Sequence, residues 1–475
     1  MIDFYAVIPL LIVVLAGGAA MLAEAFRQPG ERMPIAGLGV IGLVGAAAAS
    51  CFLWNTDAQS YGAIRADNFA LFINLILCGI GILTMIFSND VVEREGLPAG
   101  EYYALTLFAI AGMMMMAAAT DLLVIFIALE ILSLAVYVLT GLRRSSAAGA
   151  EAAFKYFLLG AFSSAFFLYG IAFAFAISGS TRLDVIGTAI ASGPGGTLAL
   201  LAVGLLAIGF AFKVSAVPFH MWTPDAYEGA PTIVTAFMST AVKAAAFGAF
   251  VRVFLSTLEP LQGHWVPVLS VISALTMILG TVVGVLQSNI KRMLAYSSIA
   301  HAGYLLLGIV AANASGKAAV LFYLAVYAIA NLGALGIVAL LGTADHEHDQ
   351  LRDFAGLWQS RPGLAGLMTI FLLSLGGFPP TAGFIGKWYI FAAAVQEGHY
   401  WLAIIGVLSS VVSVFFYLRI VVMMYMTEDA AGPVRPPISA TAMAALAVAM
   451  IVTFYLGILP TRVIDLALQS IQTIY

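Results

Sequence analysis

Four ionisable residues stand where a polypeptide seldom keeps charge. Glu130, Lys213, Lys243 and Lys387 each interrupt a long apolar run. Glu130 lies near the middle of LLVIFIALEILSLAVYVL, and Lys243 near the middle of APTIVTAFMSTAVKAAAFGAF. A charge at bilayer depth costs about 2.5–3.5 kcal/mol on insertion scales, so a retained one marks either function or a specific ion pair. A carboxylate and several lysines are groups that take up and release protons. The competing role for Glu130 and Lys243 is a fixed buried salt bridge that specifies packing.

Lys213 and Lys387 add a second signal. Lys213 stands five residues before Pro218 in IGFAFKVSAVPFHMWTPDAYEGAP. Lys387 follows Gly376, Gly377, Pro379, Pro380 and Gly383 in LSLGGFPPTAGFIGKWYIF. Proline removes a helical hydrogen bond and clashes with the preceding turn. Broken helices at membrane depth are tolerated inside protein or beside a wet cavity, and a matched pair of them points to a transport path.

Weaker candidates surround these four. Lys155 lies one turn after Glu151, so it serves either as an anchor paired at (i, i+4) or as part of the path. Arg419 reads as an anchor that snorkels to an interface. His301 lies on a stripe with Ser297 and Tyr304, while Tyr323, Tyr327 and Asn331 recur every four residues. Such stripes hold water or make interhelical hydrogen bonds. His301 fits either role, and the tyrosines fit packing better. His220 flanks the first break and is a further candidate for a proton path.

The elements that carry these residues follow from composition. Of 475 residues 62% are hydrophobic and 9% charged, whereas soluble proteins carry about 25% charged residues. Lipid must therefore cover the chain, giving an all-α polytopic membrane protein. About fourteen segments are long enough to span a bilayer, near 4–26, 34–54, 68–88, 102–119, 121–141, 149–178, 197–222, 231–251, 266–286, 293–312, 318–342, 364–395, 401–425 and 437–459. Glu130 falls in the fifth, Lys213 in the seventh, Lys243 in the eighth and Lys387 in the twelfth. The whole chain, 1–475, reads as one integral membrane domain. The first apolar run, without a basic start or a small-residue cleavage site, reads as a retained span.

Lys and Arg set the orientation. Loops after odd-numbered spans hold ten of them, the other loops and termini five, counting Arg252 among the five. The excess places the odd loops in the cytoplasm and both termini on the periplasmic side.

Several signals are set aside. The net charge of −4 argues against a nucleic-acid partner. Cys51 and Cys78 lie in apolar runs and make no disulfide framework, and two cysteines fall short of the four that usually hold an iron–sulfur cluster. No nucleotide or haem motif appears. Asp345-His346-Glu347-His348-Asp349 looks like a metal cluster but reads as a solvated loop.

Taken together, the chain resembles the antiporter-like membrane subunits of NADH:quinone oxidoreductase (respiratory complex I), and subunit N most closely. The resemblance spans nearly the whole chain. It rests on FIALEILSLAVYVL, FKVSAVPFHMWTPDAYEGAP, the eighth-span Lys243, KRMLAYSSIAHAGY and GGFPPTAGFIGKW. It implies two inverted five-helix repeats, near 102–256 and 266–425, with the seventh and twelfth helices broken. It further implies that Glu130 and Lys213 form an input ion pair, that Lys243 is a central relay and that Lys387 is the terminal proton site. No cofactor is implied in this chain. Flavin, iron–sulfur clusters and quinone belong to the wider complex, and the partners are its other membrane subunits and lipid in a bacterial inner membrane. Subunit M typically carries glutamate where Lys387 stands, and subunit L is longer. The D-type subunit of multisubunit Na+/H+ antiporters shares the length and motifs and is the alternative, a transporter not coupled to redox chemistry.

Overall fold

In the computed structural model, residues 4–27, 34–193, 196–343, 347–427 and 436–474 are described. The chain is a helical bundle. Its helices are α1 (Phe4–Ala25), α2 (Ile35–Phe52), α3 (Asn68–Arg94), α4 (Ala99–Ala118), α5 (Leu122–Thr140), α6 (Ala147–Ser178), a short α7 (Leu183–Ser192), α8 (Gly196–Lys213), α9 (Trp222–Gly229), α10 (Thr232–Thr257), α11 (Glu259–Val285), α12 (Ile290–Ala311), α13 (Ala314–Leu341), α14 (Pro362–Gly376), α15 (Ala382–Gln396), α16 (Tyr400–Met426), α17 (Ala440–Ile458) and α18 (Thr461–Ile471). Thirteen of the described helices are long and apolar enough to cross a membrane. The twelfth expected span is not among them, because it is divided into the half-helices α14 and α15.

Helix starts follow local chemistry. Asp67, Asp121, Ser146, Asn289, Asn313 and Ser439 each accept a backbone N–H of the first turn, which satisfies donors that a helix leaves orphaned. The two breaks share a pattern. α8 ends at Lys213, Ser215 has φ 65° and the Val217–Pro218 bond is cis; α14 ends at Gly376, Gly377 has φ 86° and the Pro379–Pro380 bond is cis. A residue in the left-handed region closes the helix by turning N–H groups back onto its last carbonyls. Here Ala216 bonds Ala211 O at 2.8 Å, and Phe378 bonds Leu373 O at 3.0 Å. The seventh span is therefore helical only to Lys213, short of the expected 222, and resumes as α9.

The core is built from α10, α12 and α13. Every residue in the most apolar stretch of α10 is buried, while α1, α2 and α17 are mostly peripheral. α11 and α12 pack backbone to backbone: a Cβ on Gly280 would meet Ala300 N at 2.6 Å, and one on Gly303 would meet Met277 N at 2.8 Å. Small residues permit such approach between membrane helices. Features outside the expected spans include the short α7, a hairpin of β1 (Ala58–Ser60) with β2 (Ile64–Ala66) and the amphipathic α18, which buries Ile464, Ala467 and Ile471.

Candidate functional site

Three lysines stand buried along the middle of the bundle: Lys213, Lys243 and Lys387 are 3%, 2% and 5% exposed. Among the described residues no carboxylate comes within 4 Å of any of them. Each ammonium is held instead by neutral oxygens and ring faces. Such an environment suits a group that can give up its proton, since a permanent buried ion would call for a paired counter-charge.

Lys213 closes α8. Its Nζ donates to Ser133 Oγ at 2.7 Å and lies 5.7 and 5.6 Å from the ring centres of Tyr137 and Tyr156. Glu130, three residues before Ser133 on α5, accepts a hydrogen bond from Ser164 Oγ at 2.5 Å. The expected Glu130–Lys213 ion pair is therefore not closed in this structure: the ammonium rests on Ser133 and the carboxylate on Ser164.

Lys243 follows a π-helical turn, Met238–Val242. Such turns widen a helix and recur at functional positions. Its Nζ donates to Ser298 O and Ser298 Oγ, both at 2.5 Å, and lies 5.5 Å from the Tyr327 ring centre. Tyr327 also donates to Ser298 Oγ at 2.8 Å. From there α12 presents Ser298, His301 and Tyr304 at steps of three along one face. His301 Nδ1 pairs with Tyr323 OH at 2.7 Å and its Nε2 with Tyr417 OH at 3.1 Å, and its ring lies 5.0 Å from that of Tyr327 and 5.5 Å from that of Tyr304. Tyr304 then faces Lys387, 5.1 Å from its ring centre. Hydrogen bonds and ring contacts thus join Lys243 to Lys387.

Lys387 is on α15, the second half of its broken span, and reaches back to the first. It donates to Leu375 O at 2.9 Å, Gly376 O at 3.0 Å and Ser410 Oγ at 2.8 Å. The lysine thereby caps the carbonyl end of α14, where the helix dipole favours a cation.

The weaker candidates separate. His301 lies in the buried column. Lys155 is 45% exposed and pairs with Glu151 at 2.7 Å and Asp225 at 2.9 Å, a surface anchor. His220 is half-buried beside the first break, and its Nδ1 has no hydrogen-bond partner. Arg419 donates to Val285 O and Gln287 O, an anchor as expected.

Two placements correct the sequence reading. Arg252, counted there as a loop residue, is fully buried within α10 and pairs with Asp67, because the helix continues through the apolar Val253, Phe254 and Leu255 in a second π-helical turn, Val253–Thr257. Glu347 is not solvated either. Its carboxylate, 15% exposed, meets Lys291 at 2.5 Å, Arg143 at 2.7 Å and Thr232 Oγ1 at 2.8 Å. Asp345 and His346 lie outside the described residues. Among the described residues no cluster of three His, Cys, Asp or Glu suited to a metal occurs.

The sequence reading missed Ser133, Ser164, Ser298, Ser410 and Tyr417. Only Ser298 carried a usable signal, its spacing of three from His301.

Comparison with known proteins agrees with this architecture. Residues 119–413 match the family described as NADH:quinone oxidoreductase/Mrp antiporter, TM. The NADH-quinone oxidoreductase subunit N of Trichlorobacter lovleyi is 42% identical over 100% of this chain and 98% of its own. A chain of respiratory complex I from Thermus thermophilus with bound aureothin superposes with a TM-score of 0.82 at 34% identity, covering 96% of this chain and 99% of that one. A chain of the Mrp complex from Dietzia sp. DQ12-45-1b superposes with a TM-score of 0.85 at 21% identity, covering 99% and 98%, a likeness of fold.

Proposed function

The chain belongs to the NADH:quinone oxidoreductase/Mrp antiporter family of membrane proteins, and from that membership we propose that it moves protons through Glu130, Lys213, Lys243 and Lys387. It is a multi-pass membrane subunit of an NADH-quinone oxidoreductase, with redox chemistry supplied by other subunits. The observation that carries the relay is the column of polar and aromatic side chains joining two buried lysines that have no carboxylate beside them.

In this reading each lysine holds a proton in turn. A nearby carboxylate favours the charged ammonium, and desolvation favours the neutral amine. Closing of Glu130 onto Lys213 therefore retains a proton, and opening releases it towards Lys243. Ser298, His301 and the tyrosines pass it, with water, to Lys387. Among the described residues His220 and Lys155 make no hydrogen bond to that column, and Lys155 serves at the surface. The two matching breaks support a division into repeats near 102–256 and 266–425. The partners are neighbouring membrane subunits and lipid. Flavin, iron–sulfur clusters and quinone lie elsewhere in the complex, and the charge bias puts both termini on the periplasmic side of a bacterial inner membrane. The D-type antiporter alternative shares the family, but the Mrp chain is 21% identical, against 42% for the subunit N relative.

The test is purification through a tag on this chain, followed by NADH-driven quinone reduction and proton uptake in vesicles. Flavin and iron–sulfur subunits should co-purify, and Lys387→Met should retain them while losing most proton uptake. Co-purification of small antiporter subunits alone would overturn the assignment, and full uptake by Lys387→Met would overturn the relay.

A further inference from the structure

The first proton site contains two hydroxyls that the relay does not use. Ser133 is fully buried and donates its own proton to Leu129 O, one turn back on α5. A serine bonded in this way to its own helix has only lone pairs left to offer. It can accept from an ammonium and cannot donate to a carboxylate. Lys213 uses that acceptor at 2.7 Å. Ser164 is the converse, because its proton is committed to Glu130 at 2.5 Å. Each hydroxyl thus suits one partner of the expected ion pair and engages it.

Space around the pair is limited. A cavity of about 10 Å³ is lined by Ser163, Ser164 and Lys213 together with Gly160 and Gly209. That is room for about one water. The glycines set its walls, since a Cβ on Gly160 would meet Tyr137 OH at 1.9 Å and one on Gly209 would meet Phe167 Cδ2 at 2.5 Å. The lining offers such a water four polar side chains, Tyr137, Ser163, Ser164 and Lys213.

We propose that Ser133 and Ser164 are positioning residues that hold Lys213 and Glu130 apart, so that the ion pair closes only when both hydroxyl contacts are given up. The single-water cavity touches Lys213 and Ser164, the hydroxyl that holds Glu130, and lets a proton cross while the two groups are apart. This rests on the relay reading of Glu130 and Lys213 and adds the elements that fix its open arrangement. Hydroxyls suit that task, because their hydrogen bonds compete with the ion pair without adding a third charge.

The experiment measures NADH-driven quinone turnover and proton uptake across pH in membrane vesicles with equal complex content. Ser133→Ala removes the acceptor and leaves Lys213 on Glu130. Turnover at neutral pH should fall several-fold, and the alkaline limb of the pH profile should move up by about one unit. Ser133→Thr keeps a hydroxyl that bonds the same carbonyl and should restore both. In Glu130→Gln the further change Ser133→Ala should shift nothing, since coupled residues depart from additivity. A wild-type profile for Ser133→Ala, beside a defective Glu130→Gln, would overturn the serine assignment alone. Normal uptake by Glu130→Gln would instead overturn the relay reading. Equal loss in Ser133→Ala and Ser133→Thr, with lowered complex content, would leave Ser133 only a packing role and also overturn the proposal.

Discussion

The guanidinium of Arg252 meets the carboxylate of Asp67 through two hydrogen bonds of 2.7 and 2.8 Å, and neither side chain has any exposure. Arg252 Nε adds a bond to Ala117 O at 3.1 Å, and the Phe69 ring centre lies 5.1 Å away. The pair ties the end of α10 to the start of α3 and the end of α4. It is the permanent buried ion pair that the three lysines are not.

Removing one partner of such a pair strands the other charge and costs about 3–5 kcal/mol. Arg252→Met and Asp67→Asn should therefore lower the amount of assembled complex, whereas Lys243→Met should not. Complex content, read as NADH–ferricyanide activity and subunit abundance in membranes, separates the two classes. Normal content in Arg252→Met would show the pair to be dispensable.

Lys243→Arg tests release of a proton. Arginine stays protonated in proteins, with a pKa above about 12. Lys243→Arg and Lys243→Met should both assemble and both lose most proton pumping, by tenfold or more. Pumping restored by arginine and lost in methionine would make Lys243 a permanent charge. Unchanged NADH–ferricyanide activity must accompany the loss, because arginine is also the larger side chain.

Glu347 and Glu95 should respond oppositely to pH. Burial alone would raise the Glu347 carboxyl, but Lys291 and Arg143 outweigh it and hold it below the usual range. Burial pushes the Glu95 carboxyl up; Arg143 opposes this and Glu347 adds to it. A depressed carboxyl contributes stability above its unfolded value, and loses it as pH falls through the folded value. A raised carboxyl does the reverse and weakens the fold once ionised. Glu347→Gln should thus cost about 3 kcal/mol at neutral pH, the low end for breaking a buried pair, with the difference from wild type starting to shrink as pH falls through about 4 and gone only below the depressed folded value. Glu95→Gln should cost clearly less at neutral pH. Thermal denaturation of the purified complex at several pH values measures both, and equal costs would refute the assignment.

Orientation is tested by labelling. With Cys51 and Cys78 replaced by serine, a single cysteine next to either terminus should react with an impermeant maleimide only from the periplasmic side. Reaction only from the cytoplasmic side would invert the topology.

Charges in apolar runs and proline–glycine breaks were legible in the sequence because both are expensive in lipid. Glu130, Lys213, Lys243 and Lys387 announced themselves on that ground, as did the spans that hold them. The hydroxyls did not. Ser133 satisfies itself on Leu129 O, so its type and position look the same with or without a lysine nearby. Tyr417 reads as one more aromatic until His301 is brought beside it from 116 positions away. Arg252 was misplaced because a charge reads as the end of a span, whereas the apolar residues Val253, Phe254 and Leu255 follow it and the helix continues. Glu347 was misread because Arg143, Lys291 and Thr232 are far from it in sequence. Long-range pairing left no local trace in either case.

The burial of α10 also bears on how the protein is made. Lys243 is held by Ser298, which lies 55 residues further along the chain. At synthesis rates of about 5–20 residues per second, Ser298 follows Lys243 by roughly 3–11 s. Through that interval α10 is in or beside the bilayer with an ammonium whose hydrogen-bond acceptor in the finished protein, Ser298, is not yet made. Biogenesis therefore has a waiting stage, in which the insertion machinery or a watery vestibule must shelter this helix until α12 and α13 arrive to enclose it.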